Sequence, residues 1–576
     1  MKNSLLIFFL ISFNVSVVYA QFESQFRSKT LNLDYPDLTV IVNTESSPEF
    51  LFLGPNTSAA GYLLILDNDL LPLFCKKVAG GNFYDFKLQR NGELTYNIVS
   101  GPASVYSYGI NSSGIVDEQY ITPSGYDLDI HDLQVMEDGT YYVIGRDYIT
   151  IDMSQYVPGG DTAAILIANT IHHMDADDNE IWRWHSIDHY DILDVDEFIN
   201  LTSHIIDWTH CNSLEIDPDG HLIISTKNFN EITKINRQTG EIIWRLGGER
   251  NQFQFINDNR GFGGQHDARV LSNGNIALFD NGLFLIPEYS SYVEYEIDEQ
   301  NYTATLVRRY SRNGSIFSAK RGGVQELPNG NILISWDGIL YPFVSEINPE
   351  DSTVYEVKYD NHVQQYRAYK FPWKTNLFSV QYDSLDFGTL TVGDSSSIEV
   401  KIYNRGEDSV IINEVFNNEP SFYVDEILPI EIAPHDSIEI TIVFEPLEEG
   451  NFTDKMNFRY ITDTLLIAQQ IFVQGETNII NEVKGSTEIY SYSLSQNYPN
   501  PFNSSTTINF SVHKESDVNL SIYNLLGELI STLVNEQKKP GHYEYEFNAS
   551  DLSSGIYLYS IKAGSFMKIK KMVLLR

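Results

Sequence analysis

The chain contains few cysteines and few basic residues. Its 576 residues include two cysteines, Cys75 and Cys211, so neither a disulfide framework nor a cysteine-rich zinc site is expected. The 38 Lys and Arg residues are outnumbered by 78 Asp and Glu residues, which gives a formal net charge of −40. A surface this acidic repels phosphate backbones, and this excludes a general role in binding nucleic acids.

Long apolar runs are missing beyond the N-terminus. After residue 20, no segment holds the ~18 uninterrupted apolar residues of a membrane-spanning helix. Residues 1–20 combine an early lysine, an apolar stretch from Leu5 to Val18 and a small-x-small pattern ending at Ala20, which predicts a secretory signal peptide. A membrane anchor is the alternative, but the run is short for a span. We therefore expect an exported mature protein with no membrane span.

Short hairpin units repeat between residues 21 and 375. Each unit is a strand, a tight turn with Asn or Asp before Gly, and a second strand. The turn glycines are Gly92, Gly139, Gly220, Gly274 and Gly330. A second hairpin follows most of these units, and the segment Phe50–Phe74 supplies one further sheet. This pattern predicts a six-bladed β-propeller over residues 21–375. A solenoid is the alternative, but a closed ring removes exposed sheet edges.

The rest of the chain also has the alternating pattern of β-strands. The long step between Gly139 and Gly220 holds an insertion, roughly residues 147–161 and 186–206, that we expect to arch over one face of the ring. Residues 376–477 predict an immunoglobulin-like sandwich that serves as a spacer. Residues 478–489 are interpreted as a linker, and residues 490–576 as a small C-terminal β-sandwich. The predicted fold class is therefore all-β throughout.

Polar residues recur at matching positions of the hairpins. The positions eight residues before and seven residues after each turn glycine are equivalent ends of a hairpin, and they hold Tyr84, His131, Asn212, His266, Arg146, Lys227, Asn281 and Asp337 among others. His210 lies two residues before Asn212, on the same face of its strand. If the first strands line the propeller axis, these side chains converge at one mouth of the channel.

Three histidines and two cations together favour an anion over a metal. Imidazole is a common zinc ligand, so a three-histidine metal site, and with it a metal-dependent hydrolase or lyase, is one alternative. Arg146 and Lys227 disfavour it, because their positive charges oppose a divalent ion. A tetrahedral oxyanion held by Arg146, Lys227, Asn212 and Tyr84 suits the set better. No metal or other cofactor is expected, and no phosphate-binding GxxxxGK[ST] loop occurs.

Four segments resemble the arylsulfotransferase family, the bacterial 3′-phosphoadenylylsulfate-independent aryl-sulfate sulfotransferases. They are HDLQVMEDGTYYVIG from His131, DWTHCNSLEIDPDG from Asp207, GGQHDARVLSNGN from Gly263 and YRAYKFPW from Tyr366. The resemblance implies a six-bladed propeller. It also implies ping-pong transfer of a sulfuryl group from a phenolic sulfate ester to a phenol, with a histidine as the transient carrier.

The same resemblance implies roles for individual residues. His266 stands where the family has its nucleophile, and His131 and His210 match the two supporting histidines. The family arginine of an SSRN-like segment is replaced by Lys227 in Ser225-Thr226-Lys227-Asn228. Lysine can neutralise a sulfate but cannot grip it with two parallel hydrogen bonds. A non-catalytic surface propeller that binds sulfated or acidic ligands therefore stays open as the alternative function.

The C-terminal segment resembles the type A sorting domain of the type IX secretion system. The matching motifs are NYPNPFN at Asn497–Asn503, YNLLGE at Tyr523–Glu528, SSGIYLY at Ser553–Tyr559 and the basic end at Lys568, Lys570 and Lys571. This resemblance implies passage through the periplasm and across the outer membrane, with the secretion machinery as partner. The expected location is the cell surface or the exterior.

Overall fold

The computed structural model describes residues 35–100, 104–111, 113–337, 342–361, 363–477, 492–495, 497, 499–500, 502–524, 529–550, 552–563 and 566–574. The predicted signal peptide (residues 1–20) and the predicted linker (478–489) lie outside these residues. The described residues form β-strands and five short 3-10 helices, which confirms the all-β prediction. Among them, no helix is long and apolar enough to cross a membrane.

Six sheets of mainly antiparallel strands follow one another between Leu38 and Phe371. The first holds β2 (Phe50–Leu53), β3 (Ala60–Leu66) and β4 (Pro72–Ala79), and the second holds β5 (Asn82–Leu88), β6 (Leu94–Ser100), β7 (Ser104–Ile110) and β8 (Val116–Tyr120). The third holds β9 (Asp127–Val135), β10 (Tyr141–Ile151), β11 (Ala164–Met174), β12 (Glu180–His185) and β13 (Ile205–Asp207). The fourth holds β14 (Cys211–Ile216), β15 (Leu222–Thr226), β16 (Glu231–Ile235) and β17 (Ile242–Gly247). The fifth holds β18 (Gln254–Ile256), β19 (His266–Val270), β20 (Ile276–Asp280), β21 (Ser291–Asp298) and β22 (Thr303–Tyr310), and the sixth holds β23 (Gly323–Glu326), β24 (Ile332–Ser335), β25 (Val344–Ile347) and β26 (Thr353–Tyr359). The 3-10 helices are Met153–Gln155, Ser186–Asp188, Ile192–Asp194, Lys227–Phe229 and Arg312–Gly314.

Two strand pairings join the beginning of this region to its end. The late strand β27 (Ala368–Phe371) pairs with β2 and becomes the first strand of the first sheet. The early strand β1 (Leu38–Asn43) pairs with β26 at the outer edge of the sixth sheet. The first strands of the six sheets contact one another in the order β5, β9, β14, β19, β23 and β27, and β27 contacts β5. The two ends of the region are thereby joined in the sheets.

The apolar cores lie between neighbouring sheets. Buried side chains of the third and fourth sheets form one cluster, those of the fourth and fifth another, and those of the fifth and sixth a third. A further cluster joins the sixth sheet to the first. Because these apolar side chains face adjacent sheets, the ends of the first strands are left for polar groups.

Residues 376–477 form ten strands. They are β28 (Phe378–Val380), β29 (Ser384–Leu390), β30 (Ser396–Asn404), β31 (Val410–Ile412), β32 (Glu414–Phe416), β33 (Phe422–Val424), β34 (Ile430–Ile432), β35 (Ser437–Phe444), β36 (Asn451–Ile461) and β37 (Leu465–Thr477). Leu465 to Ile467 pair with β4, so β37, β36 and β32 extend the first sheet.

The chain divides into two compact units. One holds the part up to Asp386 together with Ile398–Ile442 and Thr453–Val473, and the other holds Phe387–Ser397, Val443–Phe452 and the remainder from Gln474. In the second unit, a three-stranded and a four-stranded sheet share one apolar cluster. Their strands are β38 (Ser493–Leu494), β39 (Ser505–Val512), β40 (Ser516–Asn524), β41 (Leu529–Lys538), β42 (Gly541–Asn548), β43 (Gly555–Ala563) and β44 (Phe566–Leu574).

Candidate functional site

Bulges interrupt the first hairpin of four consecutive sheets near the predicted site residues. The strand register shifts between Tyr84 and Lys87, at the pairing opposite His131, between Cys211 and Ser213, and between His266 and Arg269. The backbone is left-handed at Asp85 (φ 52°), His210 (φ 50°) and Asp267 (φ 55°). A bulge turns a side chain away from the regular alternation of a strand, and this is how the site residues are re-aimed here.

His266 is fully buried with a defined tautomer. Its Nδ1 lies 2.8 Å from Asn281 Oδ1 and 3.1 Å from the Gly264 carbonyl oxygen. Asn281 donates its own Nδ2 hydrogens to the Ser318 and Arg321 carbonyls, at 2.7 and 2.9 Å, which fixes the amide with its oxygen toward His266. Both neighbours of Nδ1 are acceptors, so Nδ1 carries the proton and Nε2 carries the lone pair.

The imidazole of His266 is held neutral. Burial, followed by the nearby His210 and Lys227, lowers its pKa well below the ordinary value, although the Asn281 hydrogen bond opposes this. Nε2 makes no hydrogen bond to any described residue. A buried, neutral imidazole with an unpartnered lone pair has the properties of a nucleophile.

His131 and His210 each contact a carboxylate through Nδ1. The His131 ring pairs with Asp129, which also accepts a 2.6 Å hydrogen bond from Arg146 Nε. The His210 ring pairs with Asp207 at 2.5 Å. Burial alone would raise the pKa of Asp129, but His131 and Arg146 hold that pKa far below its usual range. Burial lowers the pKa of His131 despite Asp129.

The predicted aromatic and imidazole rings form a continuous row. Ring centroids are 4.9 Å apart for His131 and His210, and 6.5 Å apart for His210 and His266. Tyr366 extends the row, with its centroid 5.8 Å from His131 and 5.6 Å from Tyr84. The structure thus brings together the four predicted rings, those of Tyr84, His131, His210 and His266, and adds Tyr366 to them.

The predicted cations differ in how they are engaged. Arg146 uses Nε for Asp129, and its terminal amino groups make no hydrogen bond to described residues. Lys227 Nζ makes neither a hydrogen bond nor an ion pair with any described residue, and burial lowers its pKa. Lys227 is close enough to influence the pKa of His266, and Lys320 influences that of Lys227. The histidines of this acidic protein therefore have two cations near them, Arg146 and Lys227, in addition to the carboxylates of Asp129 and Asp207.

Asn212 is placed differently from a simple anion ligand. Its side chain is fully buried and donates through Nδ2 to the Gln265 carbonyl at 2.8 Å. It therefore holds the segment that leads into His266. Of the remaining hairpin positions, Asp337 faces Arg321 at 3.5 Å.

Three residues of the site were not predicted from the sequence: Asp129, Asp207 and Tyr366. The two carboxylates precede their histidines by two and three positions, so the D-x-H and D-x-x-H spacings were the available signal. Tyr366 lies in the YRAYKFPW segment and is buried, and its hydroxyl makes no hydrogen bond to described residues. Its contact with His131 depends on a strand far away in the sequence.

A closed ring of alternating charges lies directly behind the histidines. Within the ring, each carboxylate contacts two cations and each cation contacts two carboxylates; Arg269 also pairs with Glu215, outside the ring, at 3.3 Å. In order around the ring, the pairs are Asp85–Lys87 (2.7 Å), Lys87–Asp132 (2.6 Å), Asp132–Arg269 (2.9 Å), Arg269–Asp267 (2.6 Å), Asp267–Arg367 (3.3 Å) and Arg367–Asp85 (3.1 Å). Arg367 also donates to the carbonyls of His131 and Asn212. Because the carboxylates directly follow Tyr84, His131 and His266, the ring joins the strands that carry the site.

No group of three His, Cys, Asp or Glu side chains among the described residues has the arrangement of a metal-binding site. The geometry instead brings together a neutral imidazole, two imidazole–carboxylate pairs and two cations. Such a set can accept a tetrahedral anion and transfer a group from it.

Three stretches of the chain match sequence profiles of known families. The sequence profile of the arylsulfotransferase (ASST) family matches residues 72–370, and the chain belongs to this family. The profile of the secretion system C-terminal sorting domain matches residues 496–575, which indicates an exported protein, secreted or at the cell surface. Residues 378–459 match the profile named transmembrane protein 131-like N-terminal. The comparison with curated proteins finds no match.

Several solved structures are similar at low identity. A protein of unknown function from Bacteroides caccae is 13% identical, with 56% of this chain and 98% of that chain covered and a TM-score of 0.36. Virginiamycin B lyase from Staphylococcus aureus is 9% identical, with 71% and 99% covered and a TM-score of 0.25. PorZ of Porphyromonas gingivalis, described as a surface component of the type IX secretion system, is 11% identical, with 90% and 69% covered and a TM-score of 0.24.

Proposed function

We propose that the protein is an exported aryl-sulfate sulfotransferase that moves a sulfuryl group from a phenolic sulfate ester to a phenol by a ping-pong mechanism. The observation that carries the proposal is the state of His266, whose Nδ1–H is held by Asn281 while its Nε2 lone pair is unpartnered and buried. Family membership gives the reaction class.

In the first half-reaction, the Nε2 lone pair of His266 attacks the ester sulfur, and the bond between sulfur and the phenolic oxygen breaks with its electron pair on that oxygen. The transition state is loose and its charge lies on the sulfuryl oxygens, as in phosphoryl transfer, so electrostatic stabilisation dominates. Lys227 and Arg146 are assigned to that charge. Asn281 and the Gly264 carbonyl stabilise the Nδ1–H of the sulfohistidine.

The proton for the departing phenolate is assigned to His210. Asp207 at 2.5 Å from Nδ1 orients the His210 ring, which lies between those of His131 and His266. In the second half-reaction the acceptor phenol returns its proton to His210 while its oxygen attacks sulfur, and His266 leaves as neutral imidazole. His131, fixed by Asp129, is assigned to orienting the sulfuryl group; Tyr366 packs against its ring, and Tyr84 packs against Tyr366.

We also propose that the six sheets form a six-bladed propeller within residues 21–375, followed by an immunoglobulin-like spacer at 376–477 and the sorting domain at 490–576. The cyclic order of contacts among β5, β9, β14, β19, β23 and β27 supports the ring. The pairing of β27 with β2 supports its closure by strands from the two ends of the region.

The test is turnover of 4-nitrophenyl sulfate by the purified protein with and without phenol. We expect nitrophenol release that depends on phenol, and a peptide containing His266 that gains one sulfuryl group when the acceptor is withheld. His266→Ala should abolish both signals with the fold intact by circular dichroism. Release without an acceptor would instead indicate a sulfatase, and full activity of a folded His266→Ala protein would remove His266 from the mechanism.

A further inference from the structure

Two phenylalanines stack on each other at the same end of the sheets as His266. The rings of Phe198 and Phe284 have centroids 3.8 Å apart and are inclined by 19°. Both side chains are nevertheless about half exposed, at 51% and 47%. Exposed stacked aromatic rings lose contact with water on one side only, so their outer faces stay available to another planar group.

The backbone of Phe284 is strained. Its φ is +63°, in the left-handed region that bulky residues rarely adopt. Burial does not explain this conformation, because the side chain is half exposed. A strained backbone of this kind persists only where the surrounding structure holds it in place, and such positions cluster at ligand-binding sites.

The Phe284 loop is fastened to the segment that carries His266. Leu283 donates its N–H to the Gly263 carbonyl at 3.0 Å. A Cβ on Gly263 would lie 2.5 Å from the Leu283 carbonyl oxygen, and a Cβ on Gly264 would lie 2.8 Å from Leu283 Cβ. The two glycines therefore permit a close approach of this loop. Phe284 directly follows Leu283, and Gly264 itself contacts His266 Nδ1.

The Phe198 loop is fastened to the segment that carries Lys227. Asp196, two residues before Phe198, donates its N–H to the Asn228 carbonyl at 2.9 Å and accepts a hydrogen bond from the Asn230 side chain. Asn230 in turn accepts from the Gly264 N–H at 2.6 Å. The stacked pair thus bridges the two segments that hold the cation and the nucleophile of the proposed reaction.

We propose that Phe198 and Phe284 form an aromatic lip that binds the aryl ring of the phenolic substrates and determines the preference for aryl over alkyl sulfates. This inference rests on the proposed function. The sulfuryl group is the same in any sulfate ester, so the polar pocket cannot distinguish an aryl ester from an alkyl one. A planar apolar surface next to that pocket supplies the distinction, because it stacks with a phenol ring and gains little from a short alkyl chain.

The experiment compares Phe198→Ala, Phe284→Ala and Tyr302→Ala. Tyr302 is a matched control: it is 39% exposed, has φ +52°, and packs against Phe253 at 5.3 Å. It ends the turn before β22, at the opposite end of the sheet from His266. We expect each lip variant to raise KM for 4-nitrophenyl sulfate roughly 3- to 10-fold with kcat changed less than about twofold, and Tyr302→Ala to change neither.

A second measurement does not depend on turnover. In a His266→Ala background, calorimetry with 4-nitrophenyl sulfate and with methyl sulfate measures binding alone. Adding Phe198→Ala should weaken binding of the aryl ester and leave that of methyl sulfate unchanged. Absence of transferase activity in the wild type would refute the proposed function while this measurement still tests the lip. Equal losses for both esters, or none for either, would overturn the lip.

A third variant separates the lip from a structural role. Glycine adopts φ +63° without strain, so Phe284→Gly should keep or raise the melting temperature while it raises KM for the aryl ester. A fall in melting temperature together with an unchanged KM would show that Phe284 serves folding and would contradict the proposal.

Discussion

Lys227 offers the cleanest single test of the anion pocket. Its Nζ makes no hydrogen bond or ion pair with described residues, and Asp207, the carboxylate that influences its pKa, keeps its own contact with His210 when Lys227 is removed. Arg146 lacks this advantage, because its removal leaves Asp129 short of one partner. A loss of activity in Lys227→Ala can therefore be assigned to the substrate and not to damaged packing.

The expected loss of activity follows from the hydrogen bond that Lys227 is proposed to make to the sulfate. A hydrogen bond to a charged group contributes about 1.5–3 kcal/mol, which corresponds to a ~10- to 150-fold loss at about 1.36 kcal/mol per decade. We expect Lys227→Ala to lower kcat/KM for 4-nitrophenyl sulfate within that range. Lys227→Arg should retain or improve it, because guanidinium can donate two parallel hydrogen bonds to a sulfate.

The assay is steady-state kinetics with phenol saturating, with the fold checked by circular dichroism. Lys374→Ala is the matched control, since the Lys374 side chain is 71% exposed and its charge, paired with Asp383, is screened by solvent. Its kcat/KM should stay within about threefold of wild type. An unchanged kcat/KM in a folded Lys227→Ala protein would refute the assignment and place Lys227 on an inert surface.

Three further outcomes are expected. Asn281→Ala removes the oxygen that accepts the hydrogen bond of His266 Nδ1 at 2.8 Å. We expect this to raise the activation free energy by about 1–3 kcal/mol, which lowers kcat ~5- to 150-fold and changes KM little. A rise in KM of the same size would mean that Asn281 acts in substrate binding. Burial lowers the pKa of His131 and His266 in the folded protein, so their contribution to stability is complete above the unfolded imidazole value of ~6.5 and is lost as pH falls below it. The melting temperature should therefore drop between about pH 7.5 and about pH 5.5, and less steeply in His266→Gln; an identical slope would contradict the role of burial. EDTA should leave sulfuryl transfer unchanged, whereas loss restored by zinc would replace the transferase with a metalloenzyme.

The local pattern of the sequence was sufficient to predict most of the sheets. The hairpins around Gly92, Gly139, Gly220, Gly274 and Gly330 appear in the structure because a tight turn between alternating strands is a property of neighbouring residues. The all-β class was predicted on the same grounds. The pairings of β27 with β2 and of β1 with β26 could not be predicted from the sequence. They join segments some three hundred residues apart, and no repeating sequence pattern marks which strands pair over that distance.

The distances of polar residues from the turn glycines were sufficient to predict most residues of the candidate site. This spacing placed Tyr84, His131, His266 and their partners at one end of the hairpins because strands of equal length end at equal heights. The same spacing could not show that Asn281 accepts a hydrogen bond from His266, or that Arg146 donates one to Asp129. Those roles depend on bulges that rotate side chains by a fraction of a turn, which hydrophobic periodicity does not encode.

The ring of six alternating charges behind the histidines bears on the order in which molecules come and go. Its members pair with one another in a closed cycle and are almost entirely buried, so the ring has no spare charge to offer a sulfate. If the six sheets form the proposed propeller, these paired side chains fill the axis at that depth, and both substrates reach His266 from the other side. Under the proposed mechanism the spent phenol then leaves by the route it entered before the acceptor arrives, and a sulfuryl group bonded to His266 stays on the protein in between.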